Sequence, residues 1–244
     1  MSYLAVVTLP RSRRTVLGIA VVMLLAVSAQ AAALALPSRL PVSERVKLQE
    51  FTDAAAISTR VEAPPFPARR DLFEYLLDHP EFATHVTRTL RLARYRIWRT
   101  PEGLYLDDGW GAKGRVEVVH AASGIRVIRV RGIFEQRILP DITGEAVVIV
   151  EYSARQDGQG RTQIATAVSG YVKIDNPVFA VASRLANSVA VDKAELEARR
   201  LVRVFARTTH AVEDNPADLY QKLRARSDVP AADLEGFRRL LRLP

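Results

Sequence analysis

Residues 95–174 contain a series of β-branched and aromatic runs that are separated by short turn sequences. The turn sequences are TPEG at 100–103, AASG at 121–124 and QDGQG at 156–160. Runs of this length with turn residues at this rhythm are typical of strands joined by hairpins. The sequence therefore predicts an antiparallel meander of about five or six strands, which any fold of the remaining residues has to accommodate.

One run in the meander has an irregular pattern. In residues 125–131 the apolar residues change phase between Val127 and Ile128. A regular strand would direct Arg129 and Arg131 toward the core. We therefore predict a β-bulge in this run, which would restore the alternation.

Before the meander, the sequence predicts one strand and two short helices. Residues 55–62 form the strand, which we expect to end at the prolines of 64–67 because proline cannot donate to a sheet ladder. Residues 71–92 form the helices. The break falls at Pro80, a residue that suits the first turn of the second helix.

After the meander, the sequence predicts a long helix. Asn176 and Pro177 are a good N-cap and first residue, and the apolar residues that follow keep a helical spacing. Asp192 and Glu195 either cap a second segment or are solvated within one continuous helix. Further helices begin after Pro216 and after Pro230. We expect the long helix to cover one face of the sheet.

The N-terminus carries an uncharged run of 22 residues, 15–36, directly after Arg11, Arg13 and Arg14. A basic cluster before an apolar run predicts a secretory signal, and the run is also long enough to span a bilayer. Residues 1–36 are therefore either a signal that is cleaved after Ala31 or Ala35, or an uncleaved anchor. The arginines keep the N-terminus cytoplasmic, so the bulk is expected on the periplasmic or extracellular side of the bacterial inner membrane.

Composition limits the chemistry that we expect. The chain has no cysteine and a net charge of +8, with arginine far more frequent than lysine. An anionic membrane surface fits such a chain, whereas the scarce aromatic residues argue against a nucleic-acid partner. The four histidines lack metal-ligand spacing, so no metal site and no cofactor are predicted.

Candidate catalytic residues are few. The sequence has no Gly-x-Ser-x-Gly motif, and no serine has an evident base. We therefore predict no catalytic residue. Acid–base chemistry by Glu135, Asp141 or Glu151 stays open as an alternative. The competing interpretation is that Glu151 simply lies on the solvent face of a strand.

The order of the predicted elements, together with AAISTRVEAPPFPARRDLFEYLLDHPEFATHV at the front and GYVKIDNPVFAVASRLANSVA at the back, resembles the START-like (SRPBCC), or helix-grip, superfamily. The resemblance covers residues 55–209. It implies an α+β fold in which a curved antiparallel sheet grips a long C-terminal helix. The predicted organisation is a signal or anchor at 1–36, a tether at 37–50, a START-like domain at 51–213 and a helical extension at 214–244.

The resemblance also implies a cavity between the sheet and the long helix, in which members hold lipids, sterols or polyketides. The Gly-rich segment 107–114 is either a simple loop or a cation site, and its Trp110 either gates the mouth of the cavity or contacts a membrane at the interface. For each lining residue, ordinary core packing is the alternative. The predicted lining is Phe134, Ile138 and Leu139 near the mid-sheet loop, Phe179, Leu185 and Val189 on the helix, and Trp110 at the mouth.

Three functions remain open from the sequence. The first is an exported or membrane-tethered protein that binds, and possibly transfers, a hydrophobic small molecule such as a lipid. The second is an enzyme of the same fold, cyclase-like or hydratase-like, acting on an apolar substrate. The third is an interaction subunit whose cavity is filled by its own side chains.

Overall fold

The computed structural model describes residues 36–135, 141–176 and 187–244, without the side chains of 187–190 and 193. The described residues form six helices and seven strands. The helices are α1 Val42–Asp53, α2 Arg70–Asp78, α3 Pro80–Thr89, α4 Asn187–Asp214, α5 Pro216–Arg224 and α6 Ala231–Leu241. The strands are β1 Ile57–Pro67, β2 Arg96–Thr100, β3 Gly103–Asp107, β4 Ala112–Ala122, β5 Ile125–Phe134, β6 Ile142–Gln156 and β7 Thr162–Ile174.

All seven strands belong to one antiparallel sheet with the order β1-β7-β6-β5-β4-β3-β2. Strands β2 to β7 follow one another as a meander, which confirms the prediction from the turn sequences. β1 reaches the sheet from the other end of the sequence and pairs with β7. The fold is therefore α+β, with an open antiparallel sheet and helices on both sides of the meander in sequence.

The prolines of β1 do not end the strand, so this part of the prediction is wrong. β1 continues to Pro67 and shifts register between Ala63 and Phe66. The reason is its position at the edge of the sheet. An edge strand has one neighbour, so a proline can sit where its missing N–H faces away from that neighbour or within a bulge.

The irregularity predicted in residues 125–131 lies in the neighbouring strand instead. β5 pairs with β6 without interruption from Ile125 to Phe134, whereas β4 shifts register between Val118 and His120. Arg129 and Arg131 therefore keep the same face as Val127. Arg131 is exposed, whereas Arg129 is half-buried opposite the fully buried Val147 and forms an ion pair with Glu145 at 2.7 Å.

Helix α1 packs on one side of the sheet, which we call the α1 face. Leu48 and Phe51 of the helix contact a buried cluster that includes Val127, Ile149 and Tyr171. Most of α1 lies in the segment that was predicted to be a tether. A helix that lies flat on a sheet needs only a few apolar residues for its buried side. The remaining residues of α1 carry mixed charge, so the sequence shows no clear helical pattern.

Helix α4 packs on the opposite side, the α4 face. Its Val202 joins a buried cluster with Phe73 of α2 and with Val150, Ile164 and Val168 of the sheet. α4 runs without a break from Asn187 to Asp214. Asp192 and Glu195 are therefore part of one continuous helix. The predicted helix start at 176–177 is not tested, because residues 177–186 lie outside the described ranges.

The C-terminal helices form a second core with α2 and α3. Leu76, Phe82, Leu219, Leu223 and Phe237 are almost completely buried together. The predicted starts of α5 and α6 are confirmed. The segment predicted as an extension is thus packed against the front helices of the same compact unit, Leu34–Pro244.

The predicted signal or anchor lies outside the described residues except for Leu36. Within the described ranges, every helix is too short or too polar to cross a bilayer.

Candidate ligand-binding groove

An apolar groove of about 170 Å³ lies on the α4 face of the sheet. It extends along the ends of β5, β6 and β7, next to the part of this face that α4 covers. Cross-strand register places its side chains on one face, since residues that pair directly share a face. The side chains that line it are Leu106, Val130, Phe134, Ile142, Ala146, Val172 and Ile174.

Gly132 and Gly144 form one end of the groove floor, and Gly114 continues the same row beside them. Gly114 pairs with Gly132, and Gly132 pairs with Gly144. A Cβ on Gly132 would lie 1.9 Å from the carbonyl oxygen of Lys113, and a Cβ on Gly114 would lie 2.4 Å from that of Arg131. Glycine is therefore required here, because the neighbouring backbones approach too closely for any side chain.

The charged residues beside the groove are directed away from it. Lys113 and Glu145 share their faces with Arg115 and Arg131, on the opposite side of the sheet. The ammonium of Lys113 lies 2.8 Å from Glu135, and Glu145 lies 2.7 Å from Arg129. The lining that the structure describes thus offers no ionisable side chain for acid–base chemistry.

The space that α4 shares with α2 and with strands β6 and β7 is filled. A cavity of about 20 Å³ remains between α2, α4 and the sheet, which is about the volume of one water molecule. Aromatic rings fill the rest, since the ring of Phe73 lies 5.2 Å from Tyr152 and 5.8 Å from Phe205. A ligand of lipid size has no room in this part of the interface.

The structure divides the predicted lining residues. Phe134 lines the groove. Ile138, Leu139, Phe179 and Leu185 lie outside the described residues, as does the side chain of Val189, whose backbone belongs to α4. The other groove residues were missed, because a face shared by four strands becomes visible only when their register is known.

Trp110 lies at a different pocket, of about 160 Å³, together with Arg94, Tyr95 and Arg200. Trp110 as a whole residue is 58% exposed. The guanidinium carbons of Arg94 and Arg200 lie 5.4 and 5.5 Å from its ring centroid. Such distances allow cation–π attraction. Trp110 therefore connects the β3–β4 loop to α4, and is not among the residues that line the groove.

The carboxylates of this loop stabilise the loop itself. Asp107 accepts a hydrogen bond from the N–H of Gly109 at 2.8 Å. Asp108 accepts from the N–H groups of Trp110 and Ala112 at 2.7 and 2.9 Å. These are the contacts of Asx turns, and they support the interpretation of the segment as a loop between two strands.

The other candidate residues for chemistry are separated in the structure. Glu151 pairs with Arg60 at 2.6 Å, Glu135 pairs with Lys113, and Asp141 is exposed. No group of three or more histidine and acidic residues is placed to hold a metal ion within the described ranges.

A buried polar network joins α2 to the sheet, and sequence reasoning did not find it. Arg126 on β5 donates to both carboxylate oxygens of Asp78 and to the phenol oxygen of Tyr152, which in turn donates to Glu74 at 3.0 Å. Burial, followed by the hydrogen bond to Glu74, raises the pKa of Tyr152. The hydrogen bond to Asp78 raises the pKa of Arg126.

Comparison with known proteins identifies no family for this chain. No protein-family model matches the chain, and no curated protein matches it. A crystal structure of a hypothetical protein from Helicobacter pylori is similar at 16% identity and a TM-score of 0.38, covering 63% of this chain and 89% of that one. A protein from Thermus thermophilus is similar at 10% identity and a TM-score of 0.33, covering 64% and 98%. These values assign no function.

Proposed function

We propose that the chain is an exported or membrane-tethered protein of START-like type that binds a hydrophobic small molecule, such as a lipid, on the α4 face of its sheet. The observation that carries the proposal is the apolar groove beside α4, from which Lys113 and Glu145 are directed away. Apolar, concave sites of this kind bind apolar ligands. The long uncharged run at 15–36 supports a location at a membrane, where such ligands are found.

The size of the groove limits the ligand. Its volume of about 170 Å³ is below the range of about 300–1,000 Å³ that is usual for drug-sized ligands. We therefore expect a slender molecule or one segment of a larger one, such as part of an acyl chain, rather than a fully enclosed sterol.

Native mass spectrometry of the full chain, extracted from membranes in mild detergent, tests this proposal. We expect a bound hydrophobic molecule that Ala146→Phe removes, because the new ring fills the groove. Ala121→Phe is the matched control, since Ala121 is an exposed strand residue outside the groove. Protein that is recovered empty and also ignores added phospholipids would contradict the proposal.

A second candidate function has one observation in its favour. The filled space that α4 shares with α2, β6 and β7, with about 20 Å³ left, is what an interaction subunit without a ligand would show. In that case Ala146→Phe and the unmodified chain would both be empty in the mass spectrum.

Intact mass after expression in a bacterium also distinguishes a chain cleaved after Ala31 or Ala35 from an anchored one.

A further inference from the structure

The α1 face of the sheet carries a row of four side chains on adjacent strands. Trp98 pairs with Tyr105, Tyr105 with Arg115, and Arg115 with Arg131. Because directly paired residues share a face, the four lie side by side across β2, β3, β4 and β5. We call them the aromatic–arginine row.

Arg115 and Arg131 are two like charges placed directly opposite each other, an arrangement that destabilises a sheet. Both are exposed, and neither forms an ion pair with a described residue. Glu145 faces Arg131 in register, but its carboxylate lies 2.7 Å from Arg129 instead. The charge of Arg115 reaches Glu102 of the β2–β3 turn, where it adds to the hydrogen bond with Thr100 in lowering the pKa of that carboxyl. Among the described residues, neither guanidinium group has a carboxylate within ion-pair distance.

We propose that the aromatic–arginine row docks the protein on the surface of an anionic phospholipid bilayer, with Arg115 and Arg131 binding lipid phosphates. Guanidinium groups bind phosphate with paired, charge-assisted hydrogen bonds. Tyrosine and tryptophan beside them suit the boundary between headgroups and acyl chains.

The predicted N-terminal segment favours a membrane as the partner. A signal or anchor at 1–36 would keep the described domain within reach of lipid headgroups. This step rests on the membrane location in the proposed function, but it does not depend on any ligand in the groove, which lies on the opposite face.

The aromatic rings do not form a platform for nucleic-acid bases. The rings of Trp98 and Tyr105 are tilted by 51° to each other, and the guanidinium of Arg96 lies 5.2 Å from the Trp98 ring centroid. Single-stranded nucleic acids need ring faces that are open for stacking. The row therefore fits lipid headgroups better than bases.

Fluorescence of the full chain in vesicles tests the proposal. The chain has two tryptophans, so Trp110→Phe leaves Trp98 as the probe. In brominated phosphatidylcholine vesicles we expect stronger quenching of Trp98 when phosphatidylglycerol is added. Higher salt should reverse the increase, since it screens the attraction.

In the same background, Arg115→Gln with Arg131→Gln should reduce quenching to the level found with phosphatidylcholine alone. Arg203→Gln with Arg207→Gln is the control, because it makes the same charge change at exposed positions of α4 and should keep the increase. The N-terminal segment is present in every variant, so tethering itself does not differ.

Two further measurements keep the result specific. The Arg115/Arg131 double variant should unfold at the same or a higher temperature, because it removes a repulsion. Ala146→Phe should keep the quenching increase, so failure of the groove proposal and failure of this one are distinguishable. Quenching that ignores phosphatidylglycerol, or binding of single-stranded RNA through the same arginines without any effect of vesicles, would overturn the proposal.

Discussion

Arg126 holds the carboxylate of Asp78 with two hydrogen bonds, from Nε to Oδ1 at 2.7 Å and from Nη2 to Oδ2 at 3.0 Å. The guanidinium is 9% exposed, whereas the carboxylate is 44% exposed. The pair therefore joins the C-terminal end of α2 to strand β5. The contribution of the pair to stability depends mainly on Arg126, because its charge is the buried one.

We expect Asp78→Ala to lower the free energy of unfolding by about 3 kcal/mol, since it leaves Arg126 buried without its counterion. Adding Arg126→Met should restore much of this loss, because an apolar side chain of similar length needs no partner. Urea unfolding of the single and double variants measures both effects. As a comparison, Arg70→Gln removes an exposed pair with Glu74 and should cost less than about 1 kcal/mol. A double variant no more stable than Asp78→Ala would contradict this account.

His85 predicts a loss of stability in mild acid. Burial, the largest effect, lowers its pKa from 6.5, and nearby Arg226 and Arg88 act in the same direction against Asp228 and Asp233. In the unfolded chain the imidazole takes up its proton at a higher pH than in the folded one. The unfolded state therefore binds more protons as pH falls below 6.5, so the stability present at neutral pH decreases there.

Thermal unfolding at several pH values checks this effect. Between about pH 7 and about pH 5, where histidine titrates, the midpoint should fall more steeply for the unmodified chain than for His85→Gln. Equal slopes for the two proteins would show that His85 contributes nothing to the acid sensitivity.

Gly132 should tolerate no side chain. A Cβ there would lie 1.9 Å from the carbonyl oxygen of Lys113, which is backbone and cannot move aside alone. We expect Gly132→Ala to lower the thermal midpoint strongly or to prevent folding. Gly158→Ala is the matched control, because nothing lies within 4 Å of a Cβ at Gly158. If both variants unfold at the same temperature as the unmodified chain, the strands do not approach as closely as described.

Thr84 covers the outer edge of β2. Its hydroxyl oxygen accepts from the N–H of Ile97 at 3.4 Å and lies 3.3 Å from the Ile97 carbonyl oxygen. Thr84→Val keeps the shape of the side chain but removes these partners, so we expect a loss of about 1–2 kcal/mol. Thr84→Ser should retain most of the stability. Unfolding curves measure the loss, and light scattering of Thr84→Val should show more association, because a free sheet edge can pair with another chain.

The sequence predicts the elements better than their contacts. Turn residues and proline positions are local signals, so the hairpins and the starts of α5 and α6 were found without a structure. The extent of β1 was not, because the same prolines that exclude a central strand are allowed at an edge. Whether a strand lies at an edge depends on residues far along the chain.

The residues of the candidate groove were also hard to predict, because they come together only through contacts between distant parts of the chain. Phe134 was predicted to line a pocket, but Ala146 and Val172 join it through register across β5, β6 and β7. The pairing of Arg115 with Arg131 is equally invisible in the sequence, since a one-residue shift would separate them onto opposite faces. Trp110 attracts attention as a tryptophan between glycines, yet its contacts are with arginines of other elements.

The position of β1 has a consequence for how the chain folds. Ile57 must find Val172 across almost the whole meander, whereas every other pairing in the sheet joins neighbouring strands. Closing so long a loop costs conformational entropy before any contact repays it. We therefore expect the hairpins of β2 to β7 to form first. Until β7 has formed, β1 is a strand without a partner. Its prolines make it a poor template for pairing with other chains during this time.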